Sequence, residues 1–271
     1  AVGVAIAGFL ALGTHVGLQQ VLGVSFPDFH LVPRWAMLLS KWSVWAAVIA
    51  LWLHDQRHAS TRTWLGRWLL ISLIYLLVKE TLRAAVMTGV VTTSYGVYLA
   101  LAVPAIVAGI VGCGLSGLVA RYAKGPAAIV LGGLAVALFT ELVWQRFVTT
   151  PWIDVINGLG LPNHAEVYPP PYGWHVLSRA FATYIEPVIG AILFSRMIGP
   201  RFATAVTIYL FMTGRVVAPL VWVFFEPFPL PVAFMSTFQF TLENLVLVIG
   251  VFLSLRWSRL FCRSELARDP A

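Results

Sequence analysis

The amino-acid sequence predicts an all-α fold, a polytopic integral membrane bundle of about eight transmembrane helices. Of its 271 residues, 59% are hydrophobic and 11% are charged, and the mean hydropathy is +0.85. A soluble domain carries about 25% charged residues, so this composition leaves too few polar groups to cover a water-facing surface. The apolar residues also fall in runs of about 20, the length that crosses a hydrocarbon core, with short polar segments between them.

A single transmembrane domain is expected over residues 1–257, with a polar cytoplasmic tail over residues 258–271. Lipid offers no hydrogen-bond partners to the backbone, so each span is expected to be helical. The expected spans cover residues 2–24, 35–53, 68–91, 97–120, 126–148, 174–197, 202–225 and 232–255.

Positive charge outside these spans lies almost entirely in alternate loops. The segments after the second, fourth, sixth and eighth spans carry Lys and Arg, whereas the other loops carry only Arg34. The positive-inside rule therefore places both termini in the cytoplasm of a bacterial-type inner membrane. The net charge of +7 then predicts anionic lipid head groups as partners at the cytoplasmic face, rather than nucleic acid.

Ionisable and amide side chains recur inside the expected spans, at the middle and outer depth of the bilayer. Burying one charge at the bilayer centre costs about 2.5–3.5 kcal/mol, so each is a candidate for binding a substrate or ion. The candidates are Lys79, Glu80, Arg83, Glu141, Gln145, Arg146, Arg179, Glu186, Arg215, Glu243 and Asn244.

The spacing of these residues predicts a polar network at the bundle centre, offset toward the outer side. Glu80 and Arg83 are three residues apart and share a helix face, as do Glu141 and Gln145, four apart. Prolines 104, 187 and 219 are expected to free backbone carbonyls in three spans. Interhelical salt bridges that only hold the bundle together are the structural alternative, but the number of charges favours a function.

The long outer loop, residues 149–173, supplies a second group of candidates. Asp154, His164, Glu166 and His175 lie in or beside it, around a run of three prolines. Their spacing matches no standard metal motif, so a packed interfacial loop is favoured and no metal site is predicted. No cofactor is predicted either, because phosphate-binding loops, facing haem-binding histidines and Glu-x-x-His pairs are all missing from the sequence.

Three functions remain open on this sequence. The favoured one is a small transporter or channel for an ionic or proton-coupled solute, with the buried charges lining its path. The second is an integral-membrane enzyme acting on a lipid, isoprenoid or lipid-linked substrate, in which arginines hold a phosphate or carboxylate. The third is a non-catalytic subunit of a membrane complex, which the near absence of soluble mass also fits. A small-molecule or lipid-like ligand is expected for the first two.

Overall fold

A computed structural model describes residues 2–28, 30–59, 61–92, 94–122, 125–161 and 173–266, with the side chains of 258–266 left aside. All elements in this part of the chain are helical. They are α1 (Val2–Gln20), α2 (Arg34–His58), α3 (Trp64–Val78), α4 (Thr81–Thr92), α5 (Tyr95–Tyr122), α6 (Pro126–Leu138), a π-helical segment (Phe139–Thr149), α7 (Thr150–Gly158), α8 (Trp174–Thr183), α9 (Ile185–Ile198), α10 (Phe202–Thr213), α11 (Val217–Val221), a 3-10 turn (Trp222–Phe225) and α12 (Leu230–Leu266).

Several of these helices confirm the prediction of a multi-pass membrane protein. Within the described ranges, six helices are long and apolar enough to cross a bilayer, and a bent pair, Phe202–Thr213 with Val217–Phe225, brings the total to seven. The expected third span, 68–91, is not one helix but two short ones, α3 and α4. The count of eight spans and the cytoplasmic placement of the termini therefore stay predictions.

The fifth span is longer than the sequence predicts. It runs without a break from Pro126 to Gly158, through α6, the π-helical segment and α7. Pro151 lies directly after the π-helical segment, at the start of α7, and the helix continues through it. The eighth span likewise continues as helix to Leu266, beyond the expected end at residue 255.

Helix α5 packs closely against α2 because glycines replace larger side chains at the contact. A Cβ atom added at Gly112 would lie 2.2 Å from Trp45, and one at Gly117 would lie 2.5 Å from Trp52. Small residues of this kind let transmembrane helices approach closely. Elsewhere α1 packs on α12, α2 on α6, and α3 on α9.

The half of the bundle near the α2–α3 connection is apolar inside. Trp52, Ile71 and Phe194 are fully buried there. At the end of that half, the Asp55 carboxylate accepts hydrogen bonds from Arg62 and Arg67, the latter at 2.6 Å. The charged residues of the middle of the spans lie in the opposite half, so the bundle has one mainly apolar half and one polar half.

Candidate functional site

The third expected span is interrupted at its charged centre. Helix α3 ends at Val78, α4 begins at Thr81, and Lys79 and Glu80 form the turn between them. Glu80 has φ of +53°, a left-handed conformation that costs a non-glycine residue about 1–2 kcal/mol. The turn is also held by the ion pair between Glu80 and Arg83 on the first turn of α4. The break therefore places three charged side chains at one point in the bundle.

The seventh span is interrupted beside it. Helix α10 ends at Thr213, Gly214 has φ of +76°, and the chain turns by 68° before continuing as α11. Only glycine adopts that conformation at little cost, which explains the stop. Pro219 lacks the N–H that would have bonded to the carbonyl of Arg215, so it extends the unwinding.

Three backbone carbonyls of this second break accept hydrogen bonds from side chains of three other segments. The Lys79 Nζ atom donates to the Thr213 oxygen at 2.9 Å, and the Ser40 hydroxyl donates to the Gly214 oxygen at 2.9 Å. The Thr241 hydroxyl donates to the Arg215 oxygen, the one left free by Pro219. Lys79 thus places a positive charge at the negative end of the α10 dipole.

Glu186 of α9 forms hydrogen bonds with the N-terminal end of α4. Its carboxylate accepts hydrogen bonds from the backbone N–H groups of Leu82, at 3.2 Å, and Arg83. Those donors belong to the first turn of α4 and have no partner within the helix. A carboxylate at a helix N-terminus also interacts favourably with the helix dipole. Glu186 is therefore a cap supplied by another helix.

Glu243 lies at the centre of a buried charged cluster, which we define as His15, Glu80, Arg83, Arg215 and Glu243. Its side chain is 2% exposed, and its Oε2 atom is 3.4 Å from the Nδ1 atom of His15. Both arginines interact electrostatically with Glu80 and Glu243.

Aromatic rings contact both arginines of the charged cluster. The Arg83 guanidinium lies 4.9 Å from the centre of the Tyr184 ring, and that of Arg215 lies 4.5 Å from the Phe240 ring. Each contact is in the range of a cation–π interaction, which stabilises a desolvated guanidinium.

Several buried polar atoms in and around the charged cluster have no hydrogen-bond partner among the described residues. They include His15 Nδ1, Arg83 Nε, Tyr209 Oη, Glu243 Oε1 and Asn244 Oδ1. Buried polar groups are paired in the great majority of structures, and unpaired ones concentrate at functional sites or water sites. The cluster is thus charged, buried and incompletely satisfied.

A separate cavity of about 190 Å³ opens on the other side of Lys79. We call it the lysine cavity, and its polar lining includes Lys41, Tyr75, Lys79, Glu141 and Gln145. Lys41 and Glu141 form an ion pair across it. Lys79 also donates to the Thr213 oxygen of the span-seven break, so it joins the cavity to the interrupted helices.

Tryptophans of the fifth span donate hydrogen bonds to backbone carbonyls of α5 beside the lysine cavity. The Trp152 indole donates to the Ala100 oxygen at 2.8 Å, the carbonyl that Pro104 leaves free one turn earlier. The Trp144 indole donates to the oxygen of Pro104 itself at 3.1 Å. Helix α5 therefore continues through its proline, in contrast to the two interrupted spans.

The sequence candidates fall into four groups in the structure. Lys79, Glu80, Arg83, Arg215 and Glu243 come together at the breaks, whereas Glu141 and Gln145 line the lysine cavity. Asn244 is buried with its amide bonded to the Phe240 oxygen, and Glu186 caps α4. Two arginines, 146 and 179, are exposed apart from these groups, with Arg179 bonded to the carbonyl of His175.

The outer-loop candidates are only partly described. Asp154 lies exposed on α7 and His175 lies exposed at the start of α8. His164 and Glu166 lie outside the described residues. In the part of the chain that is described, no three His, Cys, Asp or Glu residues are grouped to hold a metal ion.

Sequence reasoning missed several residues that complete the site. Lys41 is an intramembrane cation and could have been included on that ground. His15 was detectable only as a polar residue in an apolar span. Ser40, Tyr75 and Tyr184 gave no signal, because hydroxyl groups are common in transmembrane helices and their roles here depend on helix contacts.

No family model, curated protein or solved structure matches this chain.

Proposed function

We propose that this protein is a small membrane transporter that moves an ionic solute, coupled to protons, through a site at the two interrupted spans. The observation that carries the proposal is the hydrogen bond from Lys79 to Thr213, which joins one helix break to the other inside the bundle. Transporters commonly bind substrates and coupling ions where discontinuous helices expose backbone carbonyls and half-helix ends. Discontinuous helices and exposed backbone carbonyls are both present here, and side chains from other segments donate hydrogen bonds to those carbonyls.

The proposal includes a topology. Helices α3 and α4 together form one interrupted span, which gives eight spans with both termini in the cytoplasm of a bacterial-type plasma membrane. The arginines of the α2–α3 connection support this sidedness, since positive loops remain inside. With this topology, the mainly apolar half of the bundle faces inward and the lysine cavity faces outward.

Glu243 is the proposed proton carrier. It faces titratable and charged groups from every neighbouring segment: His15 on α1, Glu80 at the span-three break, Arg83 on α4, Tyr184 before α9, Tyr209 on α10 and Arg215 at the span-seven break. A proton added to this carboxylate would leave two arginines facing one remaining carboxylate, Glu80. Because charge–charge interactions are strong in a desolvated interior, that change would favour a rearrangement of the breaks.

An enzyme acting on a lipid-like substrate is the second candidate, and one observation favours it. An apolar groove of about 1080 Å³ runs along α1, α8 and α9, with Phe9, Trp174 and Tyr184 among its lining residues. Tyr184 also contacts Arg83 of the charged cluster, so a lipid chain in the groove would end near charged groups. The transporter is preferred because the groove does not reach Lys79 or the two helix breaks.

Purified protein in proteoliposomes tests the proposal. A pH-sensitive dye inside the vesicles should report proton movement when a panel of small organic and inorganic ions is applied as gradients. Glu243→Gln should abolish this movement, whereas Asp154→Asn, which removes an exposed carboxylate outside the charged cluster, should retain it.

Equal proton fluxes in the Glu243→Gln variant and the wild type would contradict the proton-carrier assignment. Absence of flux with every ion would contradict the transporter. Stoichiometric copurification of other membrane proteins would then favour the subunit hypothesis, and conversion of an added lipid would favour the enzyme.

A further inference from the structure

The lysine cavity has an excess of positive charge at its inner wall. Lys41 and Lys79 face it with a single carboxylate, Glu141, and that carboxylate is already paired with Lys41. Lys79 is also in electrostatic contact with Arg215, a further cation just outside the cavity. Glu80 offsets part of this charge from the far side of the break. An anion entering the cavity would therefore meet a net positive potential.

Lys79 also has hydrogen-bonding capacity to spare. An ammonium group carries three N–H donors. Among the described residues, only the Thr213 carbonyl accepts from it, which leaves two donors for a ligand or for water. Lys79 is partly accessible although it lies deep in the bundle, because its side chain faces the cavity.

The Tyr75 hydroxyl is a second available donor. Its ring is stacked on Trp45 with centroids 5.0 Å apart, which fixes its direction. No described residue forms a hydrogen bond with this hydroxyl. The lining also includes the polar residues Thr140, Gln145 and Thr149, and its apolar part includes Leu101, Pro104 and Trp144. The lining thus combines one ammonium group outside any ion pair, several neutral hydrogen-bonding groups and an apolar surface.

We infer that the lysine cavity binds a short-chain monocarboxylate, with its carboxylate on Lys79 and Tyr75 and its hydrocarbon part against Pro104 and Trp144. The inference rests on the proposed transport function and names its solute class. The volume of about 190 Å³ is that of about six water molecules at their liquid density, enough for a few carbon atoms and a carboxylate. A divalent anion would find only one unpaired lysine, so a single negative charge fits best.

Binding of three probes of similar size to the purified protein in detergent tests this inference. Propionate, n-propylammonium and 1-propanol carry a negative, a positive and no charge on the same carbon chain. Calorimetric titration should show propionate binding and no saturable binding of the other two. Tighter binding of propylammonium than of propionate would overturn the inference.

Two variants should shift propionate affinity in opposite directions. Lys79→Gln removes the charged donor and should weaken binding about tenfold or more, the range for a hydrogen bond to a charged group. Glu141→Gln releases Lys41 from its ion pair and should strengthen binding. Arg146→Gln is the matched control, because Arg146 lies on the same helix as Glu141 but outside the cavity. This variant loses one positive charge and should bind propionate as tightly as the wild type.

Unchanged affinity in Lys79→Gln, or weaker binding in Glu141→Gln, would contradict the inference. If Lys79→Gln does not fold, as judged by size-exclusion chromatography, Glu141→Gln and Tyr75→Phe decide, and Tyr75→Phe should weaken binding about two- to tenfold. The assay does not need transport. Propionate binding without flux would therefore contradict only the proposed function, and flux of other ions without propionate binding would contradict only this inference.

Discussion

Lys79 directly follows the last residue of α3 and Thr213 is the last residue of α10, and the Lys79 ammonium group donates a 2.9 Å hydrogen bond to the Thr213 carbonyl oxygen. An ordinary pair of transmembrane helices has no free main-chain acceptor at this depth, because each carbonyl bonds within its own helix. The contact exists because Gly214 stops α10 and because α3 stops at Val78. Two local interruptions thus create one shared polar site.

Gly214→Ala should destabilise the protein by about 1–2 kcal/mol, the cost of a left-handed conformation for a residue with a Cβ atom. The added Cβ would also lie 3.0 Å from the Ser40 hydroxyl, tighter than ordinary contact. Gly13→Ala is the matched control: Gly13 lies within α1 with no other atom within 4 Å of an added Cβ. There alanine should stabilise by about 0.5–1 kcal/mol. Unfolding by denaturing detergent measures both, and equal effects would contradict the role of the span-seven break.

Glu186→Ala should expose the first turn of α4. Two backbone N–H groups would lose their acceptor. A buried donor left unpaired costs about 1–3 kcal/mol, and this cost applies to the partly buried Arg83 more than to Leu82, which is 50% exposed. Hydrogen exchange of the Leu82 and Arg83 amides should become faster, while Glu186→Gln, which retains an acceptor oxygen, should show a smaller change. Unaltered exchange at these two amides in the alanine variant would show that Glu186 does not cap α4.

Gly112→Ala should loosen the contact between α5 and α2. Its Cβ would overlap the Trp45 ring, and overpacking of this kind costs about 1–3 kcal/mol. Gly96 lies on the same helix with no atom within 4 Å of an added Cβ, so Gly96→Ala should not destabilise. Thermal unfolding in detergent distinguishes the two variants. A Gly112→Ala protein as stable as the wild type would contradict the close packing of α5 against α2.

We expect the stability of the protein to depend on pH through Glu226, which lies at the end of the bundle. Glu226 is 8% exposed, and burial raises the pKa of its carboxyl above 4.5. The hydrogen bond that this carboxylate accepts from the Asp28 backbone N–H partly opposes that rise. A carboxyl with a raised pKa binds its proton more tightly in the folded state, so its contribution to stability is full at low pH. That contribution is lost as the pH rises from below 4.5 through the raised pKa. Glu226→Gln should remove this part of the thermal stability profile; an identical profile in the variant would contradict the assignment.

The sequence was sufficient for the helical membrane fold and for most of the charged residues at the site. Span length and hydropathy require only local information, and Glu80, Arg83 and Glu243 are visible as charges in apolar runs. The break at Lys79 was not predicted, because no glycine or proline marks it and a left-handed conformation is not expected of a glutamate such as Glu80. The sequence also does not predict that the charged residues divide between the charged cluster and the lysine cavity, because that division depends on which helices are neighbours.

Cysteine labelling in oriented vesicles tests most directly whether the interrupted pair α3–α4 crosses the membrane. With Cys113 and Cys262 replaced, Thr61→Cys would report the α2–α3 connection and Gly96→Cys the start of α5; both positions are exposed. We expect a membrane-impermeant maleimide added outside to label position 96 at once and position 61 only after permeabilisation. Labelling of both positions from the same side would mean that residues 64–92 enter and leave on one face, and the interrupted span at the centre of the proposed site would not exist.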